Sequence, residues 1–254
     1  MPDRELPSEE LTERVRARIN AARRATWVAP LATAQPLVCD IAAMRGGSIE
    51  RDLASRDFTI NAMAVQWTQR GAAAILDLAG GQQDLERRLI RRVTPASLAE
   101  DPVRLLRAVR FAAQLGFAIE DETEQQILRL AETIRLTSAE RIRDELWKIM
   151  LAPEAEAAIE RLRRYNLLRP TLPEVADMQE VAQTAPHTRD VYAHSLRTVV
   201  YMRQFRNWLL GEPVADAGPG GASPAATMWQ ETLDPWRYKL RKHFMQPLEA
   251  EHLR

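Results

Sequence analysis

The stretch at residues 51–65, RDLASRDFTINAMAV, combines two patterns that rarely occur side by side. It begins with two Arg-Asp pairs and continues, without Gly or Pro, into a mostly apolar run that is broken by Asn61. A surface loop does not normally end in so many apolar residues, and a core element does not normally begin with four charged ones. Whatever structure the stretch forms must therefore hold charged and buried groups next to each other.

Short strands are predicted on both sides of this stretch. The upstream segment ATWVAPLATAQPLVCDIAAM suggests two strands separated by TAQP, the second of them at Val38–Ile41. Downstream, RDFTINAMAVQW fits a helix that continues into a strand, and Ala74–Leu76 fits another strand that ends at Asp77. An amphipathic helix with Ser8 as its N-cap is predicted ahead of them, over Leu6–Arg24. These elements indicate a small α/β portion.

From Asp84 onward the pattern is helical. Apolar residues recur at helical spacing in three segments, DETEQQILRLAETI, SAERIRDELWKIML and PEAEAAIERLRRYNLL. A linker rich in Gly, Pro and Ala, GEPVADAGPGGASPAAT, then leads to a last amphipathic stretch, WQETLDPWRYKLRKHFMQPL. The predicted fold class is therefore α+β, in which a small sheet with its helices is followed by an all-α portion.

The composition narrows the class of protein. The 254 residues are enough for one or two domains with a sizeable core. Basic and acidic residues balance at 35 each, but only three of the basic ones are lysines, so 32 are arginines. Arginine suits phosphates and base edges, although a genome that favours arginine codons explains the same count. The lone Cys39 fits a reducing cytoplasm, and we expect neither a signal peptide nor a membrane-spanning segment.

The most informative helix is predicted within residues 94–117, TPASLAEDPVRLLRAVRFAAQLGF. Asp101-Pro102 is a typical start, with the aspartate as N-cap, and Gly116 is a typical stop. At about 100° per residue, apolar side chains cover one half of the helix. The other face carries Arg104, Arg107, Arg110 and Gln114. Three arginines at this spacing repel one another, so their face is either solvated or turned towards a polyanion.

Three motifs in this order resemble those of one known family. DLASRDFTINAMA, LDLAGGQQDLERRLIR and AEDPVRLLRAVRFAAQLGF resemble R-R-D-F-T-x-N-A, D-x-x-x-G-x-x-D-L, E-D-x-x-R and R-F-A-x-x-L-G-F of class II tRNA nucleotidyltransferases and bacterial poly(A) polymerases. The match runs from about Val38 to Phe117 and continues more loosely through TSAERIRDELWKIML. These enzymes add CCA or A residues to RNA 3′ ends. The resemblance therefore implies a template-independent RNA 3′-end nucleotidyltransferase.

The resemblance also implies how the chain is divided and what it binds. It implies an incomplete nucleotidyltransferase head at residues 1–83 and a neck of nucleotide- and RNA-binding helices at 84–150. A helical body with the start of an HD-type region is implied at 151–200, and a linker with an amphipathic helical tail at 201–254. The implied partners are ATP or CTP and the 3′ end of a tRNA or another RNA, with no membrane.

The nucleotide-binding residues that the resemblance implies come from two of the motifs. Arg56 corresponds to the arginine that contacts the incoming nucleotide, while Asp57 and Asn61 would hold its ribose side or the local fold. The first of the family's two arginines is replaced here by Ser55. From the E-D-x-x-R motif, Asp101 and Arg104 correspond to the pair that reads the Watson–Crick edge of ATP or CTP. Arg107 and Arg110, further along the same helix face, would contact the triphosphate.

The metal site of the family has no counterpart in this sequence. In the family, two Mg²⁺ ions assist attack of the RNA 3′-hydroxyl on the α-phosphate, and a D-x-D pair after a Gly-Gly-x-x-Arg-Asp turn holds them. The chain contains neither motif. Asp40 is a candidate supporting carboxylate, but one carboxylate does not hold two magnesium ions. His194 resembles the first histidine of an HD domain, but no His-Asp pair follows it.

Two hypotheses from different classes follow. The first is a fragment of an RNA 3′-end nucleotidyltransferase, of the CCA-adding or poly(A) type. The second is a non-catalytic remnant of that family that binds nucleotide or RNA without turnover, and a purely structural helical adaptor is a more remote third. The DNA upstream of Met1 discriminates between the first two, because an in-frame D-x-D motif would favour the fragment.

Overall fold

The computed structural model describes residues 24–29, 37–68, 71–179, 181, 190–212 and 232–244. Within them, three pairs of strands form three two-stranded sheets. The first pair is antiparallel, β1 (Arg24–Ala29) with β2 (Leu37–Ala42), and so is the second, β3 (Met63–Thr68) with β4 (Gly71–Asp77). The third pair is parallel and only two residues long, β5 (Leu89–Ile90) with β6 (Ala118–Ile119).

Helices make up most of the remaining described residues. In chain order they are α1 (Ile49–Ala54), α2 (Gly81–Glu86), α3 (Ser97–Glu100), α4 (Val103–Leu115), α5 (Asp121–Leu130), α6 (Ala139–Met150), α7 (Ala155–Arg164), α8 (Leu168–Thr171), α9 (Pro173–Ala176), α10 (Val191–Leu210) and α11 (Arg237–Phe244). Short 3₁₀ helices occur at Arg45–Gly47, Thr59–Asn61, Ala131–Leu136 and Asp234–Trp236.

The hydrophobic core is built around α4. Leu105, Leu106 and Val109 on this helix have no exposed surface, and the helix packs against α6 and α7. Phe58, from the charged stretch near the start, enters the same core and meets Phe111 of α4 edge to face at 5.8 Å between ring centroids. One continuous apolar cluster therefore joins the strand-containing portion to the helical portion.

The α+β fold class is confirmed, because a small amount of sheet precedes a mostly helical portion. The strands expected at Val38–Ile41 and Ala74–Leu76 are β2 and β4, each slightly longer than predicted. The expected start of the neck at residue 84 falls inside α2, and α10 runs across residue 200, where the resemblance implies a boundary. The division into head, neck, body and tail stays a prediction.

Two other expectations differ from the structure, and two lie almost wholly outside the described residues. The segment 51–65 is not one helix leading into a strand, since a 3₁₀ turn at Thr59–Asn61 separates α1 from β3. The portion after Asp84 is not wholly helical, because β5 pairs with β6 across 29 residues of chain. The predicted helix Leu6–Arg24 lies outside the described residues except for Arg24, and so does most of the predicted linker. No helix in the described part combines the length and the hydropathy needed to cross a membrane.

Candidate functional site

A cleft of about 560 Å³ lies where three segments of the chain meet. The turn between α3 and α4 forms one wall, the end of the 3₁₀ helix Ala131–Leu136 and the start of α6 form another, and residues beside α1 form the third. The lining residues are Arg45, Ser55, Glu100, Asp101, Pro102, Arg104, Leu136, Thr137, Ser138 and Arg141. The buried hydroxyl of Thr137 has no hydrogen-bond partner among the described residues. Three arginines line the cleft against two carboxylates, Glu100 and Asp101, so its lining carries a small excess of positive charge.

Helix α1 is fixed beside the cleft by Asp52. The Asp52 carboxylate accepts from the backbone N–H of Arg45 at 2.9 Å and from Nη2 of Arg56 at 2.7 Å. Burial alone would raise the pKa of Asp52, but these hydrogen bonds and the charge of Arg56 outweigh it and lower the pKa. At its other end, the hydroxyl of Ser48 accepts from the N–H of Arg51 and caps the helix. Arg56 itself is half exposed, so the ion pair leaves part of its guanidinium accessible.

Asp57 joins the first motif to helix α4. Its carboxylate is buried and accepts from the backbone N–H of Phe58 at 2.9 Å and from the side-chain amide of Asn61 at 3.3 Å. Its other oxygen accepts from Nε and Nη2 of Arg107, at 2.7 Å and 2.6 Å. Asp52 and Asp57 each pair with an arginine, while Phe58 enters the core. The stretch 51–65 therefore holds charged and buried groups next to each other. In this structure the Asp57 carboxylate contacts Phe58, Asn61 and Arg107, and contact of Asp57 or Asn61 with a ribose stays a prediction.

The second motif, at residues 76–91, holds the same segment through two carboxylates. Asp77, at the end of β4, accepts from the backbone N–H groups of Gly81 and Gln82 at 2.7 Å and 2.9 Å. Burial opposes ionisation of Asp77, but these bonds prevail and lower its pKa. Seven residues later, the buried Asp84 accepts from the hydroxyl of Thr59 at 2.6 Å and from Nε of Arg91 at 2.8 Å. The motif thus ties α2 to the turn that follows Asp57.

Arg104 lies in a wall of the cleft, where hydrogen bonds fix its guanidinium. Its guanidinium is buried and donates to the backbone carbonyls of Ser97 and Ser55, both at 2.8 Å. Glu100 lies 3.7 Å from the same group. Because a guanidinium carries five N–H donors, these two bonds leave other donors available. Arg104 is therefore held in one orientation in the wall of the cleft.

Asp101 faces the cleft and pairs with Arg141 from the opposite wall. Nη2 of Arg141 donates to the Asp101 carboxylate at 2.7 Å, and this hydrogen bond raises the pKa of Arg141. The prediction that Asp101 caps α4 is wrong, since the helix begins after Pro102 without a side-chain cap. The extended backbone of Asp101 turns its carboxylate towards α6 instead. The predicted stop at Gly116 is confirmed, with the left-handed backbone that glycine favours.

The arginine face of α4 is neither solvated nor directed as a whole into the cleft. Besides its pair with Asp57, Arg107 lies 4.0 Å from Glu145 of α6. Arg110 is buried, donates to Glu145 at 2.6 Å and stacks on Phe111 at 4.0 Å. Glu145 also accepts from Lys148. The helical wheel places these arginines on one face correctly, but it cannot show that carboxylates from other elements neutralise two of them and that neither lines the cleft.

The described residues do not fit the metal site of the family. Among them, no group of three or more His, Cys, Asp and Glu side chains could hold a metal ion. Asp40 lies in the middle of β2, opposite Thr26 of β1. His194 lies in the first turn of α10.

Several residues of the cleft were not identified as site residues from the sequence. Arg45, Ser55, Thr137, Ser138 and Arg141 line it, and Glu145 holds the neighbouring arginines. Asp101 and Arg141 are 40 residues apart, so spacing alone gives no signal of their contact. The pattern TSAERIRDEL marked a helix in the looser part of the resemblance, and that was the only available indication for this wall.

Two family models match the chain on either side of α4. The model described as "Poly A polymerase head domain" matches residues 8–91, and the model described as "Probable RNA and SrmB- binding site of polymerase A" matches residues 116–179. Together the two matches cover more than half of the chain. The chain belongs to the class II tRNA nucleotidyltransferase and poly(A) polymerase family. Helix α4, with Asp101 at its start, connects the two matched regions of this family member.

Curated relatives within the family carry related names. An A-adding tRNA nucleotidyltransferase of Deinococcus radiodurans is 38% identical over 157 residues, which are 60% of this chain and 35% of that protein. A CC-adding tRNA nucleotidyltransferase of Geobacter sulfurreducens is 45% identical over 117 residues, which are 46% of this chain and 26% of that protein. The chain therefore matches only about a third of the length of these relatives.

The fold also resembles solved structures of the family. The structure of a Thermotoga maritima CCA-adding enzyme complexed with tRNA aligns with a TM-score of 0.53 at 26% identity. The alignment covers 88% of this chain and 50% of the other. The likeness thus extends beyond the motifs to the helical portion.

Proposed function

We propose that this chain provides the nucleotide-selecting part of a template-independent RNA 3′-end nucleotidyltransferase of the tRNA CCA-adding or poly(A) type. The observation that carries the proposal is the cleft, in which Asp101 and Arg104 lie on one wall with their orientations held by Arg141 and by two backbone carbonyls. The proposed ligands are ATP and CTP, and the proposed partner is the 3′ end of a tRNA or another RNA. The names of the curated relatives support this choice of substrate, and the cytoplasm is the compartment proposed for such tRNA processing.

The chemistry of the two residues suits adenine and cytosine. Both bases present an exocyclic amine beside a ring nitrogen acceptor, so one donor–acceptor pair serves both. In this proposal, the Asp101 carboxylate accepts from the amine and a free N–H of Arg104 donates to the ring nitrogen. Uracil and guanine present a carbonyl where the amine would be, which would face the carboxylate without a shared proton. Selection by hydrogen bonding therefore replaces selection by a template.

The other residues implied by the family have supporting positions in this structure. Arg56 keeps part of its guanidinium exposed, and we propose that it contacts the nucleotide. A contact of Arg107 or Arg110 with the triphosphate stays a prediction, and it requires phosphate to take the place of Asp57 or Glu145. For Asp57 and Asn61 we propose that they hold the Arg56 segment in place. No catalytic role is assigned to Asp40.

Magnesium enters this proposal only because the family uses it. The described residues offer no cluster of ligands for it, so no step of the reaction is assigned to a metal held by this chain. The second candidate function is binding of nucleotide without turnover, and the lack of a D-x-D motif in residues 1–254 is compatible both with it and with a fragment of the enzyme. Incorporation of radiolabelled ATP and CTP into a tRNA that lacks its 3′ end, with Mg²⁺ present, separates the two when residues 1–254 are compared with the same chain supplied with an N-terminal segment that carries a D-x-D motif. Incorporation by the supplied chain would favour the enzyme fragment, and no incorporation by either would favour the binding remnant. Incorporation by residues 1–254 alone would assign catalysis to this chain, and we expect none.

Calorimetric titration with ATP, CTP, GTP and UTP tests the selection itself. We expect ATP and CTP to bind more tightly than GTP and UTP, by about 1–3 kcal/mol for a well-formed pair of hydrogen bonds. The substitution Asp101→Asn should remove most of this preference, because the amide presents a donor as well as an acceptor. The matched control is Asp144→Asn, since Asp144 also pairs with an arginine but lies outside the cleft. Equal affinity of the unmodified chain for CTP and UTP would contradict the proposal.

A further inference from the structure

Helix α11 and Trp236, which directly precedes it, carry a basic and aromatic surface outside the cleft and outside both family matches. The surface consists of Trp236, Tyr238, Lys239, Arg241 and Lys242, and all five side chains are exposed. Two of the three lysines of the chain are among them. Within the described segment 232–244, Asp234 is the only acidic residue. A chain without net charge thus concentrates positive charge on one short helix.

The opposite side of α11 is fixed to α10. The guanidinium of Arg237 lies over the ring of Trp208 at 5.6 Å, and Nε1 of Trp208 donates to Asp234 at 3.3 Å. Phe244 meets Phe205 of α10 edge to face at 6.5 Å. Trp208 is buried by these contacts. The helix therefore has a defined inner side, which leaves the α11 surface directed outward.

The surface has two aromatic residues followed by three cationic ones along the chain. Tyr238, Arg241 and Lys242 lie at i, i+3 and i+4, so their side chains share one face of the helix. Tyr238 is 79% exposed. Lys239 places its ammonium 5.0 Å from the centre of the Trp236 ring. Among the residues that the structure describes, no carboxylate pairs with Lys239, Arg241 or Lys242, whereas most arginines of the cleft region are paired.

This combination fits a polyanion that also carries flat rings. Phosphates are attracted by unpaired Lys and Arg side chains, and exposed bases stack on aromatic side chains. An anionic membrane would match the charge, but an interfacial helix needs an apolar face that is free to enter the lipid. Here the inner side of α11 packs on α10, and Leu240 is partly covered. The chemistry therefore favours a nucleic acid over a lipid surface.

We propose that the α11 surface binds a single-stranded segment of nucleic acid, with phosphates on Lys239, Arg241 and Lys242 and a base stacked on Tyr238. The choice of RNA over DNA rests on the proposed function, while the surface itself is independent of the cleft. The α11 surface would give the chain a second contact with a long nucleic acid, in addition to the residues that select the nucleotide.

Fluorescence anisotropy with a labelled 12-nucleotide RNA, in the absence of nucleotides, measures this binding across a salt series. The double variant Arg241→Gln with Lys242→Gln should weaken binding at least fivefold and lower the slope of log affinity against log salt by about 1.4, since each phosphate contact contributes about 0.7. The matched control is Arg203→Gln with Arg206→Gln, a basic pair on α10 that lies outside the α11 surface and outside both family matches. The control should change affinity less than twofold.

Variants of Tyr238 test the stacking contact separately. Replacing it with Ala should weaken RNA binding roughly fivefold or more, whereas Tyr238→Phe should retain the affinity because the ring remains. Ultraviolet cross-linking of the same RNA, followed by peptide mapping, should label residues 232–244. The proposal would be overturned if both double variants lost the same affinity or if no RNA bound at all. It would also be overturned if the substitutions in α11 abolished binding to vesicles with anionic lipid while RNA binding persisted. Retained discrimination between CTP and UTP alongside such a failure would leave the proposed function intact.

Discussion

The contact between Arg141 and Asp101 bears directly on nucleotide choice. Both side chains are partly exposed, so the pair contributes little to stability, within about 1 kcal/mol. Its effect on the orientation of the carboxylate is larger, because Asp101 has no other fixed partner among the described contacts. The pair is therefore expected to act on binding more than on folding.

Replacing Arg141 with Ala should reduce the discrimination between CTP and UTP by up to about tenfold and leave the unfolding midpoint nearly unchanged, since one bidentate contact supplies about 1–3 kcal/mol of discrimination. Competition binding with labelled CTP measures the ratio. Arg141→Lys should restore part of it, because the charge is kept while the fork of donors is lost. The control Arg143→Ala lies on the same helix with its own partner, Asp144. A change in stability without a change in preference would show that Arg141 serves only the fold.

Glu145 stabilises the arginine face of α4, because it accepts from the buried Arg110 and lies within 4.0 Å of Arg107. Glu145→Ala should therefore lower the free energy of unfolding by about 3–5 kcal/mol, as an uncompensated charge is left in the interior. The matched control is Glu132→Ala, whose pair with Arg135 is exposed and should change stability by about 1 kcal/mol or less. Urea unfolding measures both. If the two variants lost the same stability, burial would not be the reason.

What the sequence could predict at the level of residues depends on distance along the chain. The face shared by Arg104, Arg107 and Arg110 follows from helical spacing, and the motif order identified Asp101 and Arg104 as candidates. Their partners could not be predicted, because Glu145 is 35 residues from Arg110 and Ser55 is 49 from Arg104. Tertiary packing creates these pairs, and local patterns do not encode it.

Among the elements, α2 shows how closely backbone segments approach each other. A Cβ atom added at Gly81 would lie 2.2 Å from the carbonyl oxygen of Thr59, which belongs to the backbone and cannot move aside. Gly81→Ala should therefore destabilise the protein by about 1–3 kcal/mol, although alanine usually favours a helix. The exposed neighbour Gln83, replaced by Ala, should stay within about 0.5 kcal/mol. Thermal unfolding compares them, and a stabilised Gly81→Ala protein would refute the close approach.

Elements with strong local signals were predicted, and those that depend on distant pairing were not. The strands β2 and β4 and the helices from α4 to α7 carry their own apolar periodicity and, for α4, a glycine stop. The strands β5 and β6 have two residues each and exist only because Leu89 meets Ala118. The turn Thr59–Asn61 likewise depends on Asp84 and Arg91. Neither feature leaves a periodic pattern in the sequence.

For the molecule as a whole, Tyr192 links the long helix α10 to α7. Its hydroxyl lies 3.4 Å from Glu160, and burial, reinforced by the charge of Glu160, raises its pKa to about 12. Since an unfolded tyrosine has a pKa of about 10, the folded state favours the neutral phenol. The stabilisation is therefore complete below about pH 10 and is lost as the pH rises from about 10 to about 12.

Thermal unfolding followed by circular dichroism between pH 8 and pH 11.5 tests this dependence. The unfolding temperature should fall more steeply above pH 10 in the unmodified protein than in Tyr192→Phe, which lacks the ionisable hydroxyl. Tyr201→Phe, on the same helix, is the control and should follow the unmodified protein, because Tyr201 is only partly buried. Parallel curves for all three proteins would mean that the ionisation of Tyr192 is not coupled to folding.

The hydrogen bond from Arg104 to the carbonyl of Ser55 has a thermodynamic consequence. It makes the cleft share one side chain with the segment that leads into the Arg56-Asp57 pair. A ligand that draws on Arg104 changes the stability of that segment, and reciprocity requires that whatever secures the segment changes ligand affinity by the same factor. Nucleotide occupancy and local order at residues 55–61 are thus two measures of a single coupled equilibrium, and amide hydrogen exchange in those residues becomes a sensor of the ligand.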